Sequence, residues 1–198
     1  MTVTTELPQR SLPVALIVAM RPRQWLKNVL VFAAPLAAGA LLEPDVLIPT
    51  LWAFVAFCLI SSSTYLVNDA RDVTADRDHP TKRFRPIAAG QLPLGVAWSA
   101  AVVLALASLG LSFTIRPSLA GVVGIYLVFT LAYSLRLKHE PVIELALLSM
   151  GFLLRAIAGG VASDLPISQW FLIVAGFGSL FMAAGKRYSE LDRSWHPS

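Results

Sequence analysis

The stretch NDARDVTADRDHPTKRFRPIAAG, Asn68 to Gly90, concentrates charge of both signs between two long apolar runs. Asp69, Asp72 and Asp76 are spaced three and four apart, which on a continuous helix sets them within about 60° of one another, with Asn68 one step round. Three like charges facing one way raise the electrostatic energy unless a cation sits among them. Hard carboxylate oxygens with room for water and phosphate describe a Mg²⁺ site, so the three aspartates are candidate metal ligands and candidate catalytic groups for diphosphate chemistry. The same residues also read as a solvated connector in which Arg71, Arg77 and Lys82 neutralise the aspartates.

Lys82, Arg83 and Arg85 follow at once, and Pro86 stops any helix before the next apolar run. Arginine forks match phosphate oxygens bidentately and lysine supplies a point charge, so this patch suits phosphates. Alone, such a patch also reads as a topology signal or an attraction to anionic lipid. Metal-binding carboxylates beside phosphate-binding cations are the groups that phosphorylated-substrate chemistry requires.

The surrounding chain must hold this loop at a membrane. Of 198 residues, 56% are hydrophobic and 14% charged, which excludes an ordinary water-soluble domain. Stretches nearly free of charge run over Trp25–Leu42, Val46–Val67, Leu92–Ile115, Pro117–Leu135, Pro141–Ser163 and Leu165–Gly185. They predict six transmembrane helices, because backbone in lipid must satisfy its own hydrogen bonds. The fold class is thus all-α, a polytopic helical bundle. The piece SLPVALIVAM, Ser11 to Met20, is too short to span and lacks a cleavage signal, so it is expected at the interface or as a re-entrant segment. Cys58 is the single cysteine, which excludes an internal disulfide.

Alternating the spans puts all but two of the sixteen Lys and Arg on one side, the side of both termini and of the charged loop. Arg116 falls on the other side and Arg155 within a span. Positive residues retained inside place the loop in the cytoplasm, so a multi-pass plasma-membrane protein with a cytoplasmic site is expected. The expected partners are lipid and phosphates rather than nucleic acid, and oligomerisation is left open.

The pattern Asn68-Asp69-x-x-Asp72-x-x-x-Asp76, after an apolar run and leading into HPTKRFRPIAAG, resembles the first aspartate-rich motif of the UbiA superfamily of intramembrane prenyltransferases. MRPRQWLKNVLVFAAPLAAG (Met20–Gly39), YSLRLKHEPVIEL (Tyr133–Leu145), GFLLRAIAGGVASDLPISQWF (Gly151–Phe171) and GKRYSEL (Gly185–Leu191) resemble its phosphoribosyl-transferring branch. The resemblance implies a UbiA-like domain over residues 21–191, after an N-terminal polar and interfacial segment (1–20) and before a divergent polar tail (192–198). It implies transfer of a 5-phosphoribosyl group from phosphoribosyl diphosphate to a polyprenyl phosphate such as decaprenyl phosphate. Diphosphate is released, and the product is a precursor of arabinan-containing cell walls.

Carried over residue by residue, the resemblance makes Asp69, Asp72 and Asp76 the Mg²⁺-diphosphate ligands, with Asn68 orienting them. Lys82, Arg83 and Arg85 would hold phosphates of the sugar donor, while Lys27, with Arg21 and Arg23, would attract the lipid phosphate. Tyr133, Arg136 and Lys138 resemble the polar cap between the fourth and fifth spans, and Lys186 with Arg187 the cap after the sixth. Arg21, Arg23, Lys27, Arg136 and Lys138 also read as topology signals, and Tyr133 as an interfacial aromatic. His79 reads as structural. Glu144 and Arg155 are eleven residues apart, roughly 16 Å along a helix, so they are not expected to pair. Glu144 reads as a site contributor and Arg155 as a structural residue that either snorkels outward or pins a neighbouring helix.

The superfamily implies nine helices around a lateral cavity, against about six here, and its second aspartate-rich motif is replaced by a region with Lys186, Arg187 and Glu190. The expectation is a shortened chain with little activity by itself. Prenyl transfer to an aromatic acceptor is the alternative within the superfamily. A non-catalytic membrane subunit and an anion-binding transporter are the alternatives outside it.

Overall fold

The structure, a computed structural model, describes residues 10–134 and 141–195, and of these the side chains of 141–144, 186–187 and 189–195 are not described. Eight α-helices stand among the described residues: α1 (Leu12–Ala19), α2 (Ala33–Ala37), α3 (Pro44–Arg71), α4 (Val73–Asp78), α5 (Leu94–Ile115), α6 (Pro117–Ala132), α7 (Pro141–Ala162) and α8 (Gln169–Trp195). Two 3-10 segments, Pro22–Phe32 and Lys82–Phe84, complete the order. By length and composition, Pro44–Arg71, Leu94–Ile115 and Leu145–Ala162 are long and apolar enough to cross a membrane, while α6 and residues 169–185 of α8 are shorter apolar helices. The expected all-helical bundle is what forms, with eight helices rather than six.

Proline starts these helices where its missing N–H costs nothing: Pro44 opens α3 and Pro117 opens α6, each after an extended residue, Glu43 or Arg116. Five of the six predicted spans correspond to α3, α5, α6, α7 and α8. The predicted span Trp25–Leu42 requires correction. Arg21 turns the chain at φ +56, Pro22–Phe32 winds as a 3-10 helix, and α2 lasts only to Ala37 before the Gly39 turn at φ +70. Side-chain bonds tie this segment to α3: the Trp25 indole donates to Ser62 Oγ at 3.0 Å, and Asn28 Nδ2 donates to Ser61 Oγ at 3.3 Å.

Two apolar cores organise the bundle. One gathers Val31, Phe57, Ile60, Leu119, Val123 and Leu154 from the 3-10 segment, α3, α6 and α7. The other packs Ala15 and Ala19 of α1 on Leu66, Ala70, Ile87, Leu92 and Ala97, so the segment too short to span is a helix seated against α3 and α5. Small and hydroxylic residues close the α3–α5 seam, where Ser63 donates to the Ala101 carbonyl and Ser108 to the Ala56 carbonyl, each at 2.7 Å. Without a hydrophobic gradient between helix and lipid, such close packing and interhelical bonding must supply the cohesion. Trp170, Val174, Phe177 and Phe181 of α8 point outward, as a lipid-facing surface does.

The 3-10 segment and α7 approach each other closely at glycine. A Cβ added at Gly159 would lie 2.0 Å from the Val31 carbonyl oxygen, and one at Gly160 would press Ala34 Cβ at 3.1 Å. Gly159→Ala must therefore push the two elements apart. It is expected to cost about 1–3 kcal/mol and to lower the thermal midpoint in detergent. Gly121→Ala, whose added methyl meets nothing within 4 Å, is expected to leave that midpoint unchanged or slightly raised.

Candidate active site

The aspartate-rich stretch is not one helical face. Helix α3 ends at Arg71, Asp72 takes φ −87 and ψ 10, and α4 restarts at Val73. Hydrogen bonds of helical spacing still cross the break, from Asp72 N–H to the Asn68 carbonyl at 3.0 Å and from Asp76 N–H to the Asp72 carbonyl at 2.8 Å, and Asp69 and Asp76 converge on Arg85. Both carboxylates are buried, at 3% exposure each. Arg85 Nη1 lies 3.1 Å from Asp69 Oδ1 and 2.7 Å from Asp76 Oδ2. Arg21 Nη2 donates to the same Asp69 oxygen at 2.6 Å, and its guanidinium stands 5.0 Å from the Tyr65 ring centroid. Two aspartates and two arginines thus form a compact set with no net charge at the end of α3.

The loop that returns Arg85 is anchored locally. His79 Nδ1 accepts from the backbone N–H of Thr81 at 3.2 Å and of Lys82 at 3.3 Å, which gives this histidine the structural role expected of it. Ile87, Ala88 and Leu92 are buried, and Arg77 Nε donates to the Ala88 carbonyl at 3.3 Å. Asn68 faces the opposite way, where its Oδ1 accepts from the Ser134 hydroxyl, and Arg71 donates to the Ser134 carbonyl. These bonds fasten the end of α3 to the end of α6.

Beside Asn68 lies a cavity of about 200 Å³ between α3, α6 and α7. Lys27, Tyr65 and Tyr133 line it near Asn68, while Tyr126 and Arg155 line it deeper. Phe129, Leu147, Leu148 and Phe152 make the rest of the wall apolar. Arg155 is buried and joins three elements: Nε donates to Asn28 Oδ1, Nη1 to the Gly151 carbonyl and Nη2 to the Tyr126 hydroxyl, each at 2.7 Å. Its expected role in pinning neighbouring segments is seen directly.

The structure therefore brings Asp69, Asp76 and Arg85 together, with Asp72 at the break between the two helices and half-buried. It brings Asn68, Lys27 and Tyr133 to one cavity. Lys82, Arg83 and Arg23 are exposed, and Arg83 stacks over Phe84 at 4.9 Å. Arg136 and Lys138 lie outside the described residues, and Lys186 and Arg187 stand on α8 without described side chains, as Glu144 does on α7. Arg21 as a partner of Asp69, and Tyr65, Tyr126 and Asn28 around the cavity, were not legible as site residues. Their one signal in the chain is polarity at the edge of, or within, apolar runs.

Among the described residues no group of three His, Cys, Asp or Glu is assembled as a metal cage. Two buried carboxylate oxygens nevertheless flank a single cationic nitrogen of Arg85, so hard oxygen donors already converge on one positive centre. That donor set fits a divalent cation shared with a diphosphate, an arrangement in which substrate and water supply much of the coordination.

The fold is an all-helical bundle with membrane-spanning helices, and at the end of α3 it sets two buried carboxylates against two arginines. The sequence pattern of the UbiA prenyltransferase family matches residues 29–192, and the chain belongs to that family. It is 58% identical over 188 residues to a decaprenyl-phosphate phosphoribosyltransferase of Corynebacterium glutamicum, an alignment that covers 93% of this chain and 57% of that protein. An enzyme of the same name from Mycobacterium tuberculosis is 54% identical over 93% of this chain and 62% of its own length. The chain thus spans about three fifths of these relatives. A UbiA homologue from Archaeoglobus fulgidus, solved with GPP and Mg²⁺, superposes with a TM-score of 0.75 at 16% identity, covering 90% of this chain and 64% of that one. With its spanning helices and this family, the protein is a multi-pass membrane protein.

Removing Arg85 leaves Asp76 without the cation recorded beside it and Asp69 with Arg21 alone. Arg85→Ala is expected to destabilise the chain by about 1.5–3 kcal/mol, read by denaturation in detergent. Arg83→Ala is expected to change stability by less than about 0.5 kcal/mol. Asp76→Asn added to Arg85→Ala should recover part of the loss.

Proposed function

We propose that the chain carries the sugar-donor and acceptor site of a phosphoribosyltransferase that moves a 5-phosphoribosyl group from phosphoribosyl diphosphate to a polyprenyl phosphate. The observation that carries this reading is the pair of buried carboxylates, Asp69 and Asp76, at the end of α3, where the neighbouring residue Asn68 lines a cavity that also holds Lys27 and Arg155. The curated relatives named for this activity support it. So does the abundance of cations: two phosphorylated reactants need more positive charge than prenyl transfer to a neutral aromatic acceptor.

In the proposed reaction an oxygen of the lipid phosphate forms a bond to the anomeric carbon of the ribose. The bond from that carbon to the diphosphate breaks, and its electron pair leaves on the diphosphate. The acceptor phosphate is already ionised, so no strong general base is required, and positioning with charge stabilisation dominates. Asp69, Asp72 and Asp76 would hold Mg²⁺, whose chemistry is to neutralise the departing diphosphate. Asn68, held by Ser134, would orient the donor, and Lys27 would draw the acceptor phosphate to the cavity mouth. Arg85 and Arg21 hold Asp69 in place, while Lys82, Arg83 and Arg23 add positive potential at the entrance. The basic side of the bundle faces the cytoplasm in this reading, where phosphoribosyl diphosphate is soluble, and the product enters cell-wall precursor synthesis.

Binding is the direct test. Calorimetry in detergent is expected to show phosphoribosyl diphosphate bound in the presence of Mg²⁺ and released by chelator. Asp69→Asn or Asp76→Asn should reduce that affinity by about tenfold or more. Radiolabelled donor with polyprenyl phosphate should yield labelled lipid. Preferential binding of prenyl diphosphate, with no effect of phosphoribosyl diphosphate, would assign the site instead to aromatic-acceptor prenylation.

A further inference from the structure

Arg155 stands fourteen residues after Pro141 on α7, about 21 Å along the helix axis and within a segment apolar enough to cross a membrane. It is 6% exposed. Guanidinium cannot be neutralised by losing its proton in a protein, so a full positive charge is held at this depth. Its hydrogen-bond partners, Asn28, Gly151 and Tyr126, are all neutral. The Tyr126 and Phe57 ring centroids lie 4.7 and 5.9 Å away and add only quadrupole attraction. The ion pairs seen among the described residues join Arg21 and Arg85 to Asp69, Arg85 to Asp76 and Arg116 to Asp164, and none of these involves Arg155.

Pinning helices does not explain that charge. A neutral amide could hold Asn28 and Tyr126 together at far smaller desolvation cost, and an uncompensated cation in the bilayer core is among the least favourable groups to retain. The hydrogen bonds of Arg155 use three of its five N–H groups and leave one on each terminal nitrogen. Those nitrogens border the cavity that Asn68 and Lys27 also line. Two N–H groups on a fixed, planar cation form the fork that matches two oxygens of a phosphate.

We propose that Arg155 is the deep anion-binding residue of this cavity, and that its ligand is the phosphate monoester of an isoprenoid phosphate. The depth of the residue and the apolar wall around it, with Phe129, Leu148 and Phe152, suit a phosphate delivered on a hydrocarbon chain. Asp69 and Asp76, with their arginines, lie at the cytoplasmic end and suit the soluble diphosphate. This assignment deepens the phosphoribosyl-transfer reading by naming the residue that receives the acceptor, yet acceptor binding is measurable without turnover.

The test uses the full chain in detergent or nanodiscs, with farnesyl phosphate, farnesol, inorganic phosphate and Mg²⁺-phosphoribosyl diphosphate as probes in calorimetry. The wild-type chain is expected to bind farnesyl phosphate at least about tenfold more tightly than farnesol. Arg155→Gln should erase that preference while holding the affinity for Mg²⁺-phosphoribosyl diphosphate within about threefold. Asp69→Asn should do the reverse. Arg155→Lys, which keeps the charge and loses the fork, should retain a weakened preference for phosphate over alcohol. The wild-type comparison does not depend on any variant folding: equal binding of farnesyl phosphate and farnesol overturns the proposal. So does an Arg155→Gln chain that folds and still prefers the phosphate, or one that loses the sugar donor instead. Inorganic phosphate bound as tightly as farnesyl phosphate, and lost with Arg155, overturns the lipid source. Failure of the donor to bind any form of the chain, with the Arg155-dependent preference intact, refutes the transfer reading and leaves this one standing.

Discussion

Asn28 is fully buried and bonds on both sides: its amide nitrogen donates to Ser61 Oγ and to Cys58 Sγ at 3.4 Å on α3, and its oxygen accepts from Arg155 on α7. In a medium without water each of those groups must find a protein partner, and one side chain satisfies groups on two helices at once. The seating of the Pro22–Phe32 segment between α3 and α7 depends on this junction, and so does the position of Lys27, the next residue back. Glycine at 159 makes the approach sterically possible, and Asn28 makes it favourable. The cavity wall then follows, because Arg155 is held in place by Asn28, Gly151 and Tyr126.

Charge is distributed in this bundle by depth. At the end of α3 Asp69 and Asp76 are neutralised within the chain by Arg21 and Arg85, so their burial does not leave net charge. Toward the opposite side Arg116 pairs with Asp164 at 2.8 Å, joining the turn before α6 to the connection before α8. Between these levels stands Arg155 with neutral partners. A gradient of this kind would let two phosphorylated reactants approach from different solvents, one from water past the aspartates and one from lipid toward Arg155. The proposed chemistry needs that meeting, since the nucleophile arrives on a hydrocarbon chain and the electrophile does not.

Much of the fold was legible because a lipid environment narrows the choices. Runs of apolar residue interrupted by proline or charge mark α3, α5, α6, α7 and α8 closely, and the excess of Lys and Arg in alternate loops orders them. Trp25–Leu42 differs from the expected span in form: it winds as the 3-10 segment Pro22–Phe32 followed by the short α2, a distinction composition does not carry because it records apolarity alone. Trp25 and Asn28 bond to hydroxyls of α3 from this segment. Asp69 and Asp76 were legible as a pair from their helical spacing; the local break at Asp72, between the end of α3 at Arg71 and the start of α4 at Val73, was not.

Residue order alone determined that this is an all-helical membrane chain, that its carboxylates and cations cluster in one loop, and that the motif belongs with a particular family of transferases. Those properties depend on composition, on periodicity and on neighbours near in the chain. Tertiary structure decided which arginine meets which aspartate, since Arg21 and Asp69 are 48 residues apart, and it decided that Arg155 bonds to Asn28, 127 residues away. Such pairings depend on how helices cross, and crossing is set by the summed packing of small residues and internal hydrogen bonds along each seam.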